Sequence, residues 1–174
     1  MAPQDFAREF AAYAARKLEQ NLDQIMRCAA LLSDDELWHR PNEHSNAIGN
    51  LVLHLTGNVR QWIVASIGGE AFERARPAEF AQWVSLPRAP LLGELERVVR
   101  HAVAILKEIS PAALIAGHQV QGYSVTGLTV VFHVTEHFSF HTGQIIYATK
   151  LLRNVDVSLY DEQGRHRAGA QAGP

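Results

Sequence analysis

The chain has 174 residues, 47% of them hydrophobic and 20% charged, with a formal net charge of -2. This is the balance of one ordinary globular domain with a substantial core. It offers no basic face for nucleic acid and no apolar stretch long enough to span a bilayer, so neither is expected as a partner.

The N-terminus, Met1-Ala2-Pro3-Gln4-Asp5, lacks a basic region followed by an apolar run, and the single cysteine, Cys28, excludes an internal disulfide. Both features lead to the expectation of a cytoplasmic protein. Helical periodicity covers Gln4 to Leu32, with Phe6, Phe10, Tyr13, Leu18, Leu22, Ile25, Met26 and Ala29 on one broad face. Ser33-Asp34-Asp35-Glu36 reads as a capping box for a short helical turn carrying Leu37 and Trp38, and Arg40-Pro41-Asn42-Glu43 breaks the chain. The second helix is expected from Ser45 to just before Gly68-Gly69, with Ile48, Leu51, Val52, Leu55, Val59, Trp62 and Ile63 as its stripe. A connection rich in Pro and Arg runs from Glu70 to about Pro90. The third helix covers Leu91 to Ile109, and Ser110-Pro111 ends it.

From Ala112 to Tyr123 the pattern is ambiguous: a short helix, then an extended piece at Gln119-Val120-Gln121. Thr126 can cap the fourth helix, which continues to about Leu152 and is roughly 40 Å long at the helical rise. A single domain over residues 1–160 is expected, followed by a flexible tail over 161–174 that is Gly- and Ala-rich from Gly164 on. Four amphipathic helices of this kind make an all-α bundle. The long connections after helices two and three leave the order of the helices around the bundle open.

Histidine is the unusual count: nine in all, three of them (His133, His137 and His141) on one short segment. Residues four apart stand one above the other on a helix, roughly 6 Å apart along the axis. His137 and His141 therefore share a face, and their imidazoles can converge on one ion. Two ligands on one helix leave a metal site incomplete. His54, midway along the second helix within Leu51-Val52-Leu53-His54-Leu55, is the best-placed third ligand, because His39, His44 and His166 fall in loops or the tail. A histidine in such an apolar stretch also serves commonly as a hydrogen-bonded core residue. His133-Val134-Thr135-Glu136-His137 offers a competing pair in the H-x-x-E-H pattern of one metalloprotease class. His133 and His141 lie about 12 Å apart along the axis, so the pair is 133/137 or 137/141, and spacing does not decide between them.

Ser45-Asn46-Ala47-Ile48-Gly49-Asn50-Leu51-Val52-Leu53-His54-Leu55-Thr56-Gly57-Asn58 resembles the second-helix signature of the DinB-like superfamily. Glu136-His137-Phe138-Ser139-Phe140-His141-Thr142-Gly143-Gln144-Ile145 is similar to its fourth-helix signature, and Leu37-Trp38-His39-Arg40-Pro41 also fits. Order and spacing agree over most of residues 1 to 160. The resemblance implies a DinB-like four-helix bundle with a three-histidine metal site, whose ligands by motif are His54, His137 and His141. His133 is then a core residue or a support behind the ligands. The resemblance also implies a homodimer and points to transferases and isomerases that use low-molecular-weight thiols. The sequence is most similar to the uncharacterised branch, so no substrate transfers with the fold.

Three neutral histidines leave at least one coordination position open, as in catalytic zinc sites. There a divalent ion (zinc, nickel or iron) lowers the pKa of a bound water or thiol. The expected function is a metal-dependent transferase or hydrolase that activates a thiol or water against a small-molecule substrate. The alternative is a non-catalytic bundle that binds a metal or a small molecule. Gln144 shares the face of His137 and His141, and Asn50 and Asn58 flank His54 by one turn, so all three can support the site. Glu136 lies about 100° around the helix from His137 and is a poor candidate base. Cys28, beside Ala29 and Ala30, reads as an inert packing residue. A di-iron carboxylate bundle needs two Glu-x-x-His motifs, which the sequence lacks.

Overall fold

The computed structural model describes residues 3–81 and 86–167. Four long helices carry the core: α1 over Pro3–Ala30, α3 over Ile48–Val59, α5 over Arg88–Glu108 and α7 over Gly127–Arg153. Short pieces link them: α2 at Asp34–Leu37, α4 at Arg76–Ala81 and α6 at Pro111–Ile115, then strands β1 at Gly117–Val120 and β2 at Tyr123–Thr126. α1 packs on α5 and α7, and α3 packs on the same two, so α1 and α3 face each other diagonally across the bundle. Of the consecutive pairs, α3 and α5 are neighbours, whereas the connections from α1 to α3 and from α5 to α7 cross the end of the bundle. Leu18, Ile25, Leu55, Ile63, Leu95, Leu106, Phe138 and Ile145 fill the fully buried centre between the four.

Local chemistry sets the boundaries. Ser33 accepts from the Glu36 backbone while the Glu36 carboxylate accepts from the Ser33 N–H, the capping box expected for α2. α3 begins at Ile48 and not at Ser45. The Ser45 hydroxyl is held in the preceding turn by Asn42 Oδ1 at 3.0 Å, and Asn50 Oδ1 accepts from the Ala47 N–H at 3.1 Å. That side chain caps the helix from inside its first turn. α5 begins three residues earlier than expected, at Arg88, because Pro90 fits a first helical turn whose N–H groups need no partner. Thr126 caps α7 as expected by accepting from the Thr129 N–H, and Asn154 ends it in the left-handed region at φ 51°.

Past the end of α3 the helix widens over Arg60–Ala65 into π-type turns, with Ser66 N–H donating to Gln61 O and Gly68 N–H to Ile63 O. The ambiguous stretch before α7 resolves into α6, capped by Ser110, and an antiparallel hairpin in which Gly117 pairs with Thr126 and Val120 with Tyr123. The extended piece thus starts earlier than Gln119 and has a partner strand. Gln121 and Gly122, at φ 52° and 81°, form its two-residue turn. After α7 the chain turns at Asp161 and pairs Tyr160 with His166. Residues 168–174, the end of the expected tail, lie outside the described residues. Among the described residues no helix is long and apolar enough to cross a membrane.

Candidate metal centre

α3 and α7 are neighbours, and their facing sides bring His54, His137 and His141 together. His54 is 3% exposed, while His137 and His141 are half-buried, one turn apart on α7. One ring nitrogen from each lies within 4.8 Å of the other two. Ring centroids are 5.0 Å apart for His54–His137, 5.1 Å for His54–His141 and 4.5 Å for His137–His141. A tetrahedral ion bound at zinc–nitrogen distances spaces its ligand atoms roughly 3.3 Å apart, so the His54–His137 nitrogen pair at 2.8 Å would open slightly to admit one. The donor set is chemically apt, since three neutral imidazoles suit zinc, nickel or iron. The three histidines can therefore hold a metal ion. His133 is not in the cluster: its ring stacks on His137 at 5.3 Å and lies against Trp62 at 4.2 Å.

Hydrogen bonds behind the rings fix two tautomers. His54 Nδ1–H donates to Glu79 Oε2 at 2.9 Å, and His141 Nδ1–H donates to Gln144 Oε1 at 2.7 Å. Each bond turns the Nε2 lone pair toward the cluster, where His54 Nε2 accepts from His137 Nε2–H at 2.8 Å. Glu79 is itself gripped by Arg74, whose Nε reaches Oε1 at 2.7 Å and Nη2 reaches Oε2 at 2.8 Å. This bidentate pair is nearly dry, with side chains 2% and 11% exposed. Arg74 also donates to the His54 carbonyl at 3.2 Å and to Gln61 Oε1 at 3.1 Å.

Burial alone raises the Glu79 carboxyl, but the bonds from His54 and Arg74 and the guanidinium charge outweigh it and hold it below the usual range. His137 is pushed down to about 3, first by burial and then by the charges His141, His54, His133 and Arg74 carry when protonated. Burial also lowers His141, against the bond from Gln144, and lowers His133, against the charge of Glu136. Burial thus favours the neutral form of His137 and His141, the form in which imidazole ligates.

Of the expected supporting residues, Gln144 touches a site histidine directly. Asn50 does not: fully buried, it donates from Nδ2 to the Glu79 carbonyl at 3.0 Å and accepts from Arg40 Nη2 at 2.9 Å. Arg40 also donates to the Phe80 carbonyl at 2.7 Å. Together they moor α4, and so place Glu79 behind His54. Asn58, 3% exposed, lines a cavity of about 430 Å³ that lies beside His54 and His137, between α3, α7 and the hairpin. Glu136 is exposed, and Cys28 is buried in the core with its thiol raised by burial, an inert packing position. Glu79 and Arg74 were not identifiable in advance. They sit in an aperiodic connection, and the one trace is Gly57, where a Cβ would lie 2.2 Å from Glu79 Oε1 and 2.9 Å from Arg74 Nε. A glycine one turn after His54 leaves the room the ion pair occupies.

The fold is similar to those of several crystal structures. A DinB-like protein (YjoA) from Bacillus subtilis matches at a TM-score of 0.61 and 19% identity, over 80% of this chain and 91% of that one. A DinB-like protein from Bacillus cereus matches at 0.63 and 14%, over 83% and 93%. A conserved protein from Enterococcus faecalis matches at 0.62 and 17%, over 89% and 99%. No curated protein matches the sequence. Residues 5–160 match the model of a family described as a protein of unknown function, DUF1572; the chain belongs to that family and has the DinB-like helical fold.

Proposed function

We propose that the protein is a metal-dependent enzyme in which His54, His137 and His141 hold a divalent ion beside a small-substrate cavity. The observation that supports this best is the convergence of three imidazoles, two with an Nδ1 hydrogen-bonded behind the ring, next to a space of small-molecule size. The bound ion, zinc, nickel or iron, supplies a Lewis acid that makes a thiol or a water nucleophilic near neutral pH. The chain does the rest. Burial keeps His137 free of its proton, Glu79 and Gln144 aim the Nε2 atoms of His54 and His141, and Arg74 keeps Glu79 ionised. Transfer from a low-molecular-weight thiol, or hydrolysis, on a small substrate is the reaction class. A reducing, cytoplasmic setting belongs to the same reading, supported by the lone, buried thiol of Cys28. So does a homodimer, supported by Phe132, Phe140, Tyr147 and Leu151, each 59% exposed or more along α7; a sedimenting mass of two chains is expected, and a monomer removes that part.

Elemental analysis of chelator-free protein tests the centre. Near-stoichiometric metal is expected in the wild type and in His133→Ala, and loss in His54→Ala, His137→Ala and His141→Ala. A wild type that takes up no zinc, nickel or iron ends the reading. Metal uptake without turnover of any thiol or ester substrate assigns the protein to the non-catalytic alternative, a binding bundle.

A further inference from the structure

The cavity beside the histidines has a one-sided charge pattern. Arg74 and Arg76 line it, and no aspartate or glutamate does among the described residues. Arg74 is engaged by Glu79 and Gln61. Arg76 has no acidic partner among the described residues; its guanidinium lies over the Phe80 ring, 5.2 Å from the centroid. Phe80 in turn lies 4.8 Å from the His54 ring. Arg76 is therefore no further from His54 than those two contacts in series. A guanidinium held over an aromatic face is ordered without being neutralised.

The rest of the lining suits a flat apolar body. Trp62, Tyr123 and Val125 are among its lining residues, contributed by the widened end of α3 and by β2. Two buried polar atoms of the lining, Asn58 Oδ1 and Trp62 Nε1, have no hydrogen-bond partner within the described chain. One is an acceptor and the other a donor, and buried polar groups are ordinarily satisfied.

We propose that the cavity binds a small organic carboxylate with a flat apolar body, its carboxylate on Arg76 and its other end at His54 and His137. One unpaired guanidinium matches a carboxylate in charge and bidentate shape, whereas phosphate sites converge several donors. That the carboxylate is a substrate rests on the metal-enzyme reading above; that it binds does not.

Binding is measured by calorimetry on the full chain, metal-free and zinc-loaded. The probes are phenylacetate, its neutral amide phenylacetamide, and phenyl phosphate. Phenylacetate is expected to bind the metal-free protein with a Kd on the order of 1 mM, more tightly than the other two. Arg76→Ala is expected to weaken phenylacetate about tenfold or more and leave phenylacetamide unchanged, with Arg76→Lys recovering part of the loss. Arg97→Ala, at an exposed arginine of α5 paired with Glu94, is expected to change neither. The proposal is overturned if the amide or phenyl phosphate binds as well as phenylacetate. It is equally overturned if Arg76→Ala has no effect, or if no phenylacetate binding is seen at about 10 mM. If zinc fails to load while the Arg76 effect holds, the metal reading falls and the carboxylate site stands. If zinc loads and the Arg76 effect is missing, the reverse is true.

Discussion

Glu79 touches the histidine cluster through His54, and its effect on any bound ion would be indirect. Its carboxylate accepts from Nδ1–H, which turns the Nε2 lone pair toward the cluster. Glu79→Ala is expected to weaken zinc binding about 10- to 100-fold, read by competition with a chromogenic chelator, with Glu79→Gln losing less because its amide oxygen still accepts. Wild-type affinity in Glu79→Ala would show that His54 is oriented by packing alone. The same scale carries a pH dependence. His137 titrates at about 3 in the folded chain, and an unfolded histidine titrates near 6.5. The native state binds fewer protons between those values, so stability is fully present above about pH 6.5 and is lost as pH falls toward 3. Chemical denaturation of metal-free protein along this range is expected to show that decline, and His137→Gln to flatten it. A profile identical in the variant would place the acid sensitivity elsewhere.

Short elements set the accuracy of the site. α4 has six residues and none of them is buried, so its place comes from hydrogen bonds made by Asn50 and Arg40 to its backbone. Asn50→Ala strands the Ala47 N–H and the Glu79 carbonyl. A loss of about 1–3 kcal/mol is expected, with faster amide exchange over residues 76–81 and weaker zinc binding although no ligand is altered. Unchanged exchange there would mean that α4 is held by other contacts. These elements also mark the limit of what the sequence reveals. The four long helices announce themselves because each buries a periodic apolar face, and a four-residue spacing puts His137 and His141 on one side of α7. His54 could be singled out because a polar ring interrupts an apolar stripe. Glu79 leaves no such mark: it pairs with a residue 25 positions away, from a connection with no period. Asn50 was read as a neighbour of His54 along the helix, yet its side chain turns to the loop and serves α4.

At the scale of the whole molecule, the diagonal placement of α1 and α3 was not legible, because the helical faces specify burial but not which neighbour covers them. The placement matters because α3 and α7 become adjacent and only they contribute histidines to the cluster. A metal bound there would clip together two helices whose ligands His54 and His137 are 83 residues apart. Zinc at about a hundredfold its Kd is expected to stabilise the fold by about 2.7 kcal/mol. Calorimetric melting should show a zinc-dependent rise in Tm for wild type and none for His54→Ala; an equal rise in both would place the binding outside the cluster. The wide spacing has a further consequence, for the order of events during synthesis. Two of the three imidazoles lie on the last long helix, so a growing chain that has passed the second helix offers an ion only His54 of the three. A three-histidine site would therefore be complete only after translation of α7. During synthesis, an ion held there would act late, joining the last long helix to one made much earlier.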